Sequence, residues 1–328
     1  MRPCLAPPSA PRLRSVILKR ALTHTEDASA PRVLAIFGPT ASGKTAVAEE
    51  VARRIPAEQV SADAMQVYRG VPILTNQSEV PARLVAIWPL DHESSVAEYQ
   101  RLAHAAIDEI VGDGHTAIVV GGTGLYLRAA LADLDVPPAP SPGSRRRFER
   151  LYDRLGGRRA HALLAERDPA AAAGVHPNDR RRVVRALELA EAGSSLRPRA
   201  ERLWSGETRH PTLVVGLEVP RAEIVRRIDE RTRSMFERGV EEEVRRALAG
   251  PISATARTIH GLRDIAELPR DDALEALVTR TRRYAAYQRK WMRRIPGLVP
   301  VAADRSPDEV AAEILSLAGR LGSVAGAG

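Results

Sequence analysis

The chain reads as an α/β protein: a parallel sheet flanked by helices, with an all-helical insertion. Three observations carry this. Short apolar runs alternate with helical periodicity over residues 32–131, and an apolar run returns at 210–219. The first run leads straight into a glycine loop that opens a helix. Between Ser144 and Arg202 only helical periodicity is found, in an arginine-rich stretch. Strands that alternate with helices imply a parallel sheet with right-handed crossovers.

In order, "RVLAIF" (32–37) has the composition of a buried strand, and the helix after the loop runs to about Arg54. "EQVSAD" (58–63) reads as a second strand and "RLVAIW" (83–88) as a third. A helix follows from about Val96 to Val111. "TAIVVGG" (116–122) is a further buried strand, with a helix beginning near Thr123. The proline-rich "DLDVPPAPSPG" (133–143) then leads into the insertion. "HPTLVVGLEV" (210–219) resumes the sheet, and two long helices are expected at about 221–248 and 271–294. "GLVPVAAD" (297–304) gives a short last strand and 306–320 a last helix. The division expected is a disordered extension at 1–31, core at 32–138, helical insertion at 139–205, core again at 206–320 and a frayed tail at 321–328.

The 328 residues carry a net charge of +8, which suggests a polyanionic partner. Nearly all the basic residues are arginine; Lys19, Lys44 and Lys290 are the only lysines. A lysine inside the glycine loop is therefore informative, because a compact ammonium fits a phosphate cradle where a planar guanidinium is bulky. Cys4 is the only cysteine, which excludes disulfides and thiolate zinc sites within one chain and fits a reducing cytoplasm. The apolar runs are too short to span a bilayer, so no membrane partner is expected.

"GPTASGKT" (38–45) fits the phosphate-loop spacing between a strand and a helix. Backbone N–H groups of residues 40–45 are expected to face one concavity, with Gly38, Thr40, Ala41, Ser42 and Gly43 shaping it. Lys44 would bridge phosphate oxygens and Thr45 would ligate Mg²⁺. In "SADAMQVYRG" (61–70), Asp63 lies past the carboxyl end of a strand, the edge where ligands of open α/β sheets bind. It is either a proton acceptor or a helix N-cap. Gln66 and Tyr68 are unusual choices for a core. "VVGGTGLYLRA" (119–129) ends a strand in Gly121-Gly122-Thr123, not in the magnesium-binding Asp of nucleotide-hydrolysing relatives. The glycines there allow close backbone approach to a ligand.

Most arginines in "SRRRFER" (144–150), "NDRRRVVRALE" (178–188) and "RRIDERTRSMFERG" (226–239) read as solvated helix faces. Arg181, Arg182 and Arg185 follow a turn and cap, and suit phosphate-backbone contact. Tyr284, Tyr287 and Trp291 form one stripe of helical spacing, read as core packing.

Together, "GPTASGKT", "SADAMQVYRG", "VVGGTGLYLRA", "HPNDRRRVVRALE", "RRIDERTRSMFERGVEEEV" and "TRRYAAYQRKW" resemble the tRNA dimethylallyltransferase family, in the family's order, over about residues 32–294. The resemblance implies a P-loop kinase-like core with a helical insertion. It implies transfer of a dimethylallyl group from dimethylallyl diphosphate to N6 of the adenosine 3′ of the anticodon, with Mg²⁺ and without ATP hydrolysis. It places the general base on Asp63 and a leaving-oxygen contact on Thr123. Diphosphate contacts fall on the loop and Arg231. Contacts to the tRNA anticodon stem-loop fall on Asp63, Ala64, Met65, Gln66, Thr123, Arg181, Arg182, Arg185 and the segment around His260 and Arg263. A monomer is expected. The chain departs from the family where "GVPILTNQSEV" (70–80) replaces a Gly-Thr-x-Lys-Pro stretch. It also departs at Ala64, at Leu262, and at Ala286 and Tyr287, which replace a basic pair. The competing readings are an ATP-dependent small-molecule or nucleoside kinase and a non-catalytic tRNA-binding relative.

Overall fold

A computed structural model describes residues 30–137, 143–197 and 202–325. The extension expected at 1–31 therefore lies almost wholly outside the described residues. The chain divides into two compact units, residues 1–94, 98–133 and 203–328 in the first and residues 95–97 and 134–202 in the second.

The first unit is built on five parallel strands, β1 (Val33–Phe37), β2 (Ala57–Ser61), β3 (Thr116–Gly121), β4 (Thr212–Glu218) and β5 (Val299–Ala302), in the order β2-β3-β1-β4-β5. β1 is central, and each of its five residues is buried, which is why "VLAIF" carries no alternation. Its register sets Phe37 beside both Gly121 and Gly216. Around the sheet lie α1 (Lys44–Arg54), α2 (Pro72–Thr75), α3 (Val96–Gly112), α4 (Gly124–Leu131), α9 (Arg221–Glu237), α10 (Val240–Leu248), α11 (Leu262–Glu267), α12 (Arg270–Met292) and α13 (Pro307–Ala325). One face of the sheet, with Leu34, Ile36, Val215 and Leu217, packs on Val47 and Val51 of α1, Ile224 and Ile228 of α9 and Ile314 of α13.

Three expectations need correction. "RLVAIW" is not a strand. Leu84 (φ 65°) and Ala86 (φ 52°) adopt left-handed backbone, so only Arg83 bridges β2 and only Trp88 bridges Tyr68. The helix expected over 221–248 is two helices, parted at Gly239 (φ 85°). The last helix continues through Ala325, across most of the stretch expected to fray.

The second unit holds α5 (Ser144–Leu155), α6 (Gly157–Arg167), α7 (Pro169–Ala172) and α8 (Arg180–Glu191), with no strand among the described residues. Phe148, Leu164, Val183, Val184 and Leu187 form its core. Asp168 caps α7 by accepting from the Ala171 N–H, and Asp179 caps α8 by accepting from Arg182 N–H. Among the described residues no helix is long and apolar enough to cross a membrane.

Candidate active site

β1 delivers the glycine loop to the carboxyl edge of the sheet, and α1 begins where the loop ends. Gly38 has no room for a side chain, since a Cβ there would stand 2.5 Å from Ser42 Oγ. Ala41 (φ 64°) and Gly43 (φ 85°) turn the backbone through left-handed space. Not every loop N–H faces inward, as expected from the motif. Thr40 N–H donates to Gln288 Oε1 at 2.7 Å, and Ser42 N–H to the Pro39 carbonyl at 3.2 Å. Those of Gly43, Lys44 and Thr45, at the start of α1, remain for a ligand. Ser42 Oγ is buried without a partner among the described residues.

The loop forms one wall of a cavity of about 390 Å³. Three cations line it: Arg227, which pairs with Glu223 at 2.6 Å, and two buried ones, Lys44 and Arg231. Burial pushes the Lys44 ammonium down to about 8; Asp63 opposes this and Arg231 adds to it. Lys44 Nζ makes only a long contact, 3.4 Å, to the Pro39 carbonyl. Arg231 reaches in from α9 and donates to Thr40 Oγ1 at 2.5 Å, while its Nε is buried without a partner. Burial pushes its guanidinium down to about 10. Neither buried cation has an ion pair among the described residues. Buried donors without acceptors point to an anionic ligand.

Asp63 is the one carboxylate among the residues lining this cavity. β2 stops at Ser61, and Asp63 follows two residues on. Its Oδ1 accepts the Met65 N–H at 2.9 Å, closing a turn and not capping a helix. Its other oxygen has no partner among the described residues. Thr123 stands behind the lining: its Oγ1 accepts the Ala64 N–H at 3.2 Å and lies 3.3 Å from the Tyr284 hydroxyl. Met65, Gln66 and His260 line the cavity. Gln66 Nε2 donates to the carbonyls of Thr75 and Asn76, and burial lowers the His260 pKa below the ordinary imidazole value.

The remaining residues singled out from sequence lie elsewhere. Arg263 is exposed and pairs with Glu267 at 2.8 Å. Arg181 and Arg182, in the second unit, are exposed and have no ion pair among the described residues. Arg185 instead donates to the buried Glu188 carboxylate at 3.1 Å, which Arg145 also contacts. Gly121 lines the cavity, but the space on the Cβ side of both Gly121 and Gly122 is taken by protein. A Cβ on Gly121 would stand 2.1 Å from the Ala62 carbonyl oxygen, and one on Gly122 2.2 Å from Gln288 Nε2. Tyr68 is a core residue after all, its hydroxyl 2.7 Å from both Ser94 Oγ and Thr255 Oγ1.

The stripe expected on α12 is also different. Tyr287 is 54% exposed, and the inward row is Tyr284, Gln288 and Trp291. Gln288 is fully buried and was missed. Its one signal was a polar residue at helical spacing among the buried positions Leu277, Thr281 and Ala285. The departing segment 70–80 lines the cavity through Leu74, Thr75, Asn76, Ser78 and Val80. Buried Glu243 holds it by accepting the N–H groups of Ile73 and Leu74, each at 2.8 Å.

Among the described residues no group of three His, Cys, Asp or Glu side chains could hold a metal alone. The cavity lining does include the side-chain oxygens of Thr45 and Asp63. That set suits a hard cation which keeps its waters and is held mainly by phosphate oxygens.

Residues 66–295 match the family described as IPP transferase, and residues 31–79 match isopentenyl transferase. A tRNA dimethylallyltransferase of Streptomyces coelicolor is 39% identical over 280 residues, covering 81% of this chain and 89% of its own. One from Mycobacterium marinum is 41% identical over 284 residues, covering 80% and 90%. Among solved structures, a tRNA isopentenylpyrophosphate transferase of Bacillus halodurans superposes with a TM-score of 0.61 at 29% identity, covering 89% of this chain and 98% of that one. With most of its length shared, this chain belongs to the tRNA dimethylallyltransferase (IPP transferase) family.

Proposed function

We infer that the chain transfers a dimethylallyl group from dimethylallyl diphosphate to N6 of the adenosine immediately 3′ of a tRNA anticodon, releasing diphosphate. The observation that carries this is a lone carboxylate, Asp63, sharing a cavity with two buried cations that lack carboxylate partners. Unpaired buried cations beside a helix N-terminus suit a diphosphate. A carboxylate on the same edge suits proton acceptance.

The N6 lone pair attacks C1 of the prenyl group. The C1–O bond breaks, and its electron pair leaves with the diphosphate. The N6 proton passes to Asp63. Lys44, Arg231 and the N–H groups from Gly43 to Thr45 bind the diphosphate and stabilise the charge that grows on it. Mg²⁺, held by Thr45 and diphosphate oxygens, would supply further charge neutralisation. Thr123 accepts from Ala64, and with Tyr284 as the donor of their 3.3 Å contact its own hydroxyl hydrogen is left for the leaving oxygen. The adenine must first leave its stack, which costs a few kcal/mol. Phosphate contacts by Arg181 and Arg182 would help to offset that.

The test is transfer of labelled prenyl group to unmodified tRNA in the presence of Mg²⁺. Asp63→Ala is expected to lower kcat by about 10²–10⁴-fold with tRNA binding retained. Absence of transfer by the unsubstituted chain, with tRNA bound, would overturn the assignment. An equal loss of binding and turnover in Asp63→Ala would make that residue structural.

A further inference from the structure

The inward row of α12 meets three consecutive residues. Tyr284 reaches Thr123 Oγ1, and Gln288 reaches Gly122. Trp291 covers Gly124 so closely that a Cβ there would stand 2.3 Å from the indole. Gln288 is the centre of this row, 1% exposed on a helix whose neighbouring residues Arg289 and Lys290 face solvent. Its Oε1 accepts the Thr40 N–H at 2.7 Å, and its Nε2 donates to the Gly122 carbonyl at 2.9 Å. The amide orientation is forced, because a backbone N–H only donates and a carbonyl only accepts. One side chain thus ties the phosphate loop to the turn that presents Thr123. Thr40 also receives Arg231, so the same tie fixes where that guanidinium sits.

We propose that Gln288 is a positioning residue that holds the phosphate loop at a set distance from Thr123. This rests on the transfer reading given above. The group that leaves is bound by one side of the tie, and the hydroxyl placed to meet its oxygen is on the other. Loss of the amide lets the two sides drift apart. Both backbone partners are buried, and each loses its only partner among the described residues when the amide is removed.

Two substitutions in the full chain test this. Gln288→Met removes both hydrogen bonds at similar volume. It is expected to lower kcat by about 100-fold while the KM for tRNA stays within roughly twofold, and to weaken binding of inorganic diphosphate by about tenfold. Gln288→Glu keeps the shape. Ionised, the new carboxylate accepts from Thr40 but opposes the Gly122 carbonyl; protonated, it makes both bonds. Burial raises the pKa of such a carboxyl, so its kcat relative to the unsubstituted chain is expected to climb as pH falls from about 8 to about 6. The titratable groups sharing the cavity are Asp63, Lys44, Arg227, Arg231, His260 and Tyr284. They are present in both chains, so the ratio of rates largely removes their contribution. Circular dichroism and Tm establish that each variant is folded.

A folded Gln288→Met chain with unchanged kcat and unchanged diphosphate affinity would overturn the proposal. So would a flat pH ratio for Gln288→Glu, which is what a purely structural amide would give. If the unsubstituted chain transfers no prenyl group, the transfer reading has failed, and the diphosphate affinity of Gln288→Met alone decides whether the tie shapes the cradle.

Discussion

Arg226 and Arg231 lie five residues apart on one helix and do opposite things. Arg226 is exposed, gripped by Glu223 and Glu230, and its hydrogen bonds to Glu223 hold its pKa above the ordinary value. Arg231 is turned into the cavity with no carboxylate partner, and burial holds its pKa below it. The second unit repeats the first pattern: Arg180 is held by Asp153 and Glu149, and Arg145 and Arg185 by Glu188. Residue type does not separate a structural arginine from a binding one. The neighbouring carboxylate does. A cation that the protein has already neutralised has little left for a ligand, whereas one kept buried and uncompensated is a standing cost that an anionic ligand would relieve.

Among the arginines, the largest effect should come from Arg231→Met. Loss of a charge that stabilises the leaving group is expected to lower kcat by about 10²–10³-fold. The same change removes an unpaired buried charge, so Tm without ligand should rise. Arg226→Met should move neither quantity. A fall in Tm for Arg231→Met, measured by thermal unfolding, would mean that this guanidinium is compensated within the protein and the contrast is false.

A second test uses Lys44. Its pKa in the folded protein is near 8, below the unfolded value of 10.5. The unfolded chain therefore holds the proton more tightly between these values, and Lys44 makes folding more favourable as pH rises from about 8 to about 10.5. Diphosphate reverses the preference. Binding near pH 9 should take up a proton that binding near pH 7 does not, and affinity should decline as pH rises past about 8. Calorimetry in two buffers of different ionisation enthalpy measures that uptake. The same observed enthalpy in both buffers near pH 9 would mean that no proton is taken up and that Lys44 is charged throughout.

The smallest effect separates arginines within α8. Replacing Arg181 and Arg182 by Gln should reduce the slope of log binding constant against log salt by about 1.5 for tRNA. Arg185→Met should leave that slope alone and lower stability instead, by about 3 kcal/mol, because it strips a partner from a buried carboxylate. Filter binding across a salt series, with urea unfolding alongside, distinguishes the two. A slope change in Arg185→Met would place that arginine on the RNA.

Much of the frame was legible because buried parallel strands and a glycine loop leave continuous local signals. "VLAIF" and "TAIVVG" lie where the apolar runs put them. "RLVAIW" carries the same kind of signal but turns through left-handed backbone at Leu84 and Ala86, which apolar composition does not reveal. The site was legible in local motifs for Lys44, Asp63 and Arg231, which line one cavity. It was not legible where a side chain serves backbone distant in sequence. Glutamine at 288 looks like any solvated residue until Thr40 and Gly122 are beside it. The paired glycines 121 and 122 make room for Ala62 and Gln288, a partnership their sequence does not reveal, while the backbone of Gly121 lines the cavity.

The tie between Thr40 and Gln288 spans 248 residues, and that between Thr40 and Arg231 spans 191. The phosphate loop leaves the ribosome long before its last partner does. A nascent chain halted anywhere in the insertion has the whole glycine motif and none of the groups that brace it. Contacts so distant in sequence form late, after the local helices and the neighbouring strands. The braced loop therefore forms only once Gln288 has emerged, and products of translation truncated before it carry the motif without its braces.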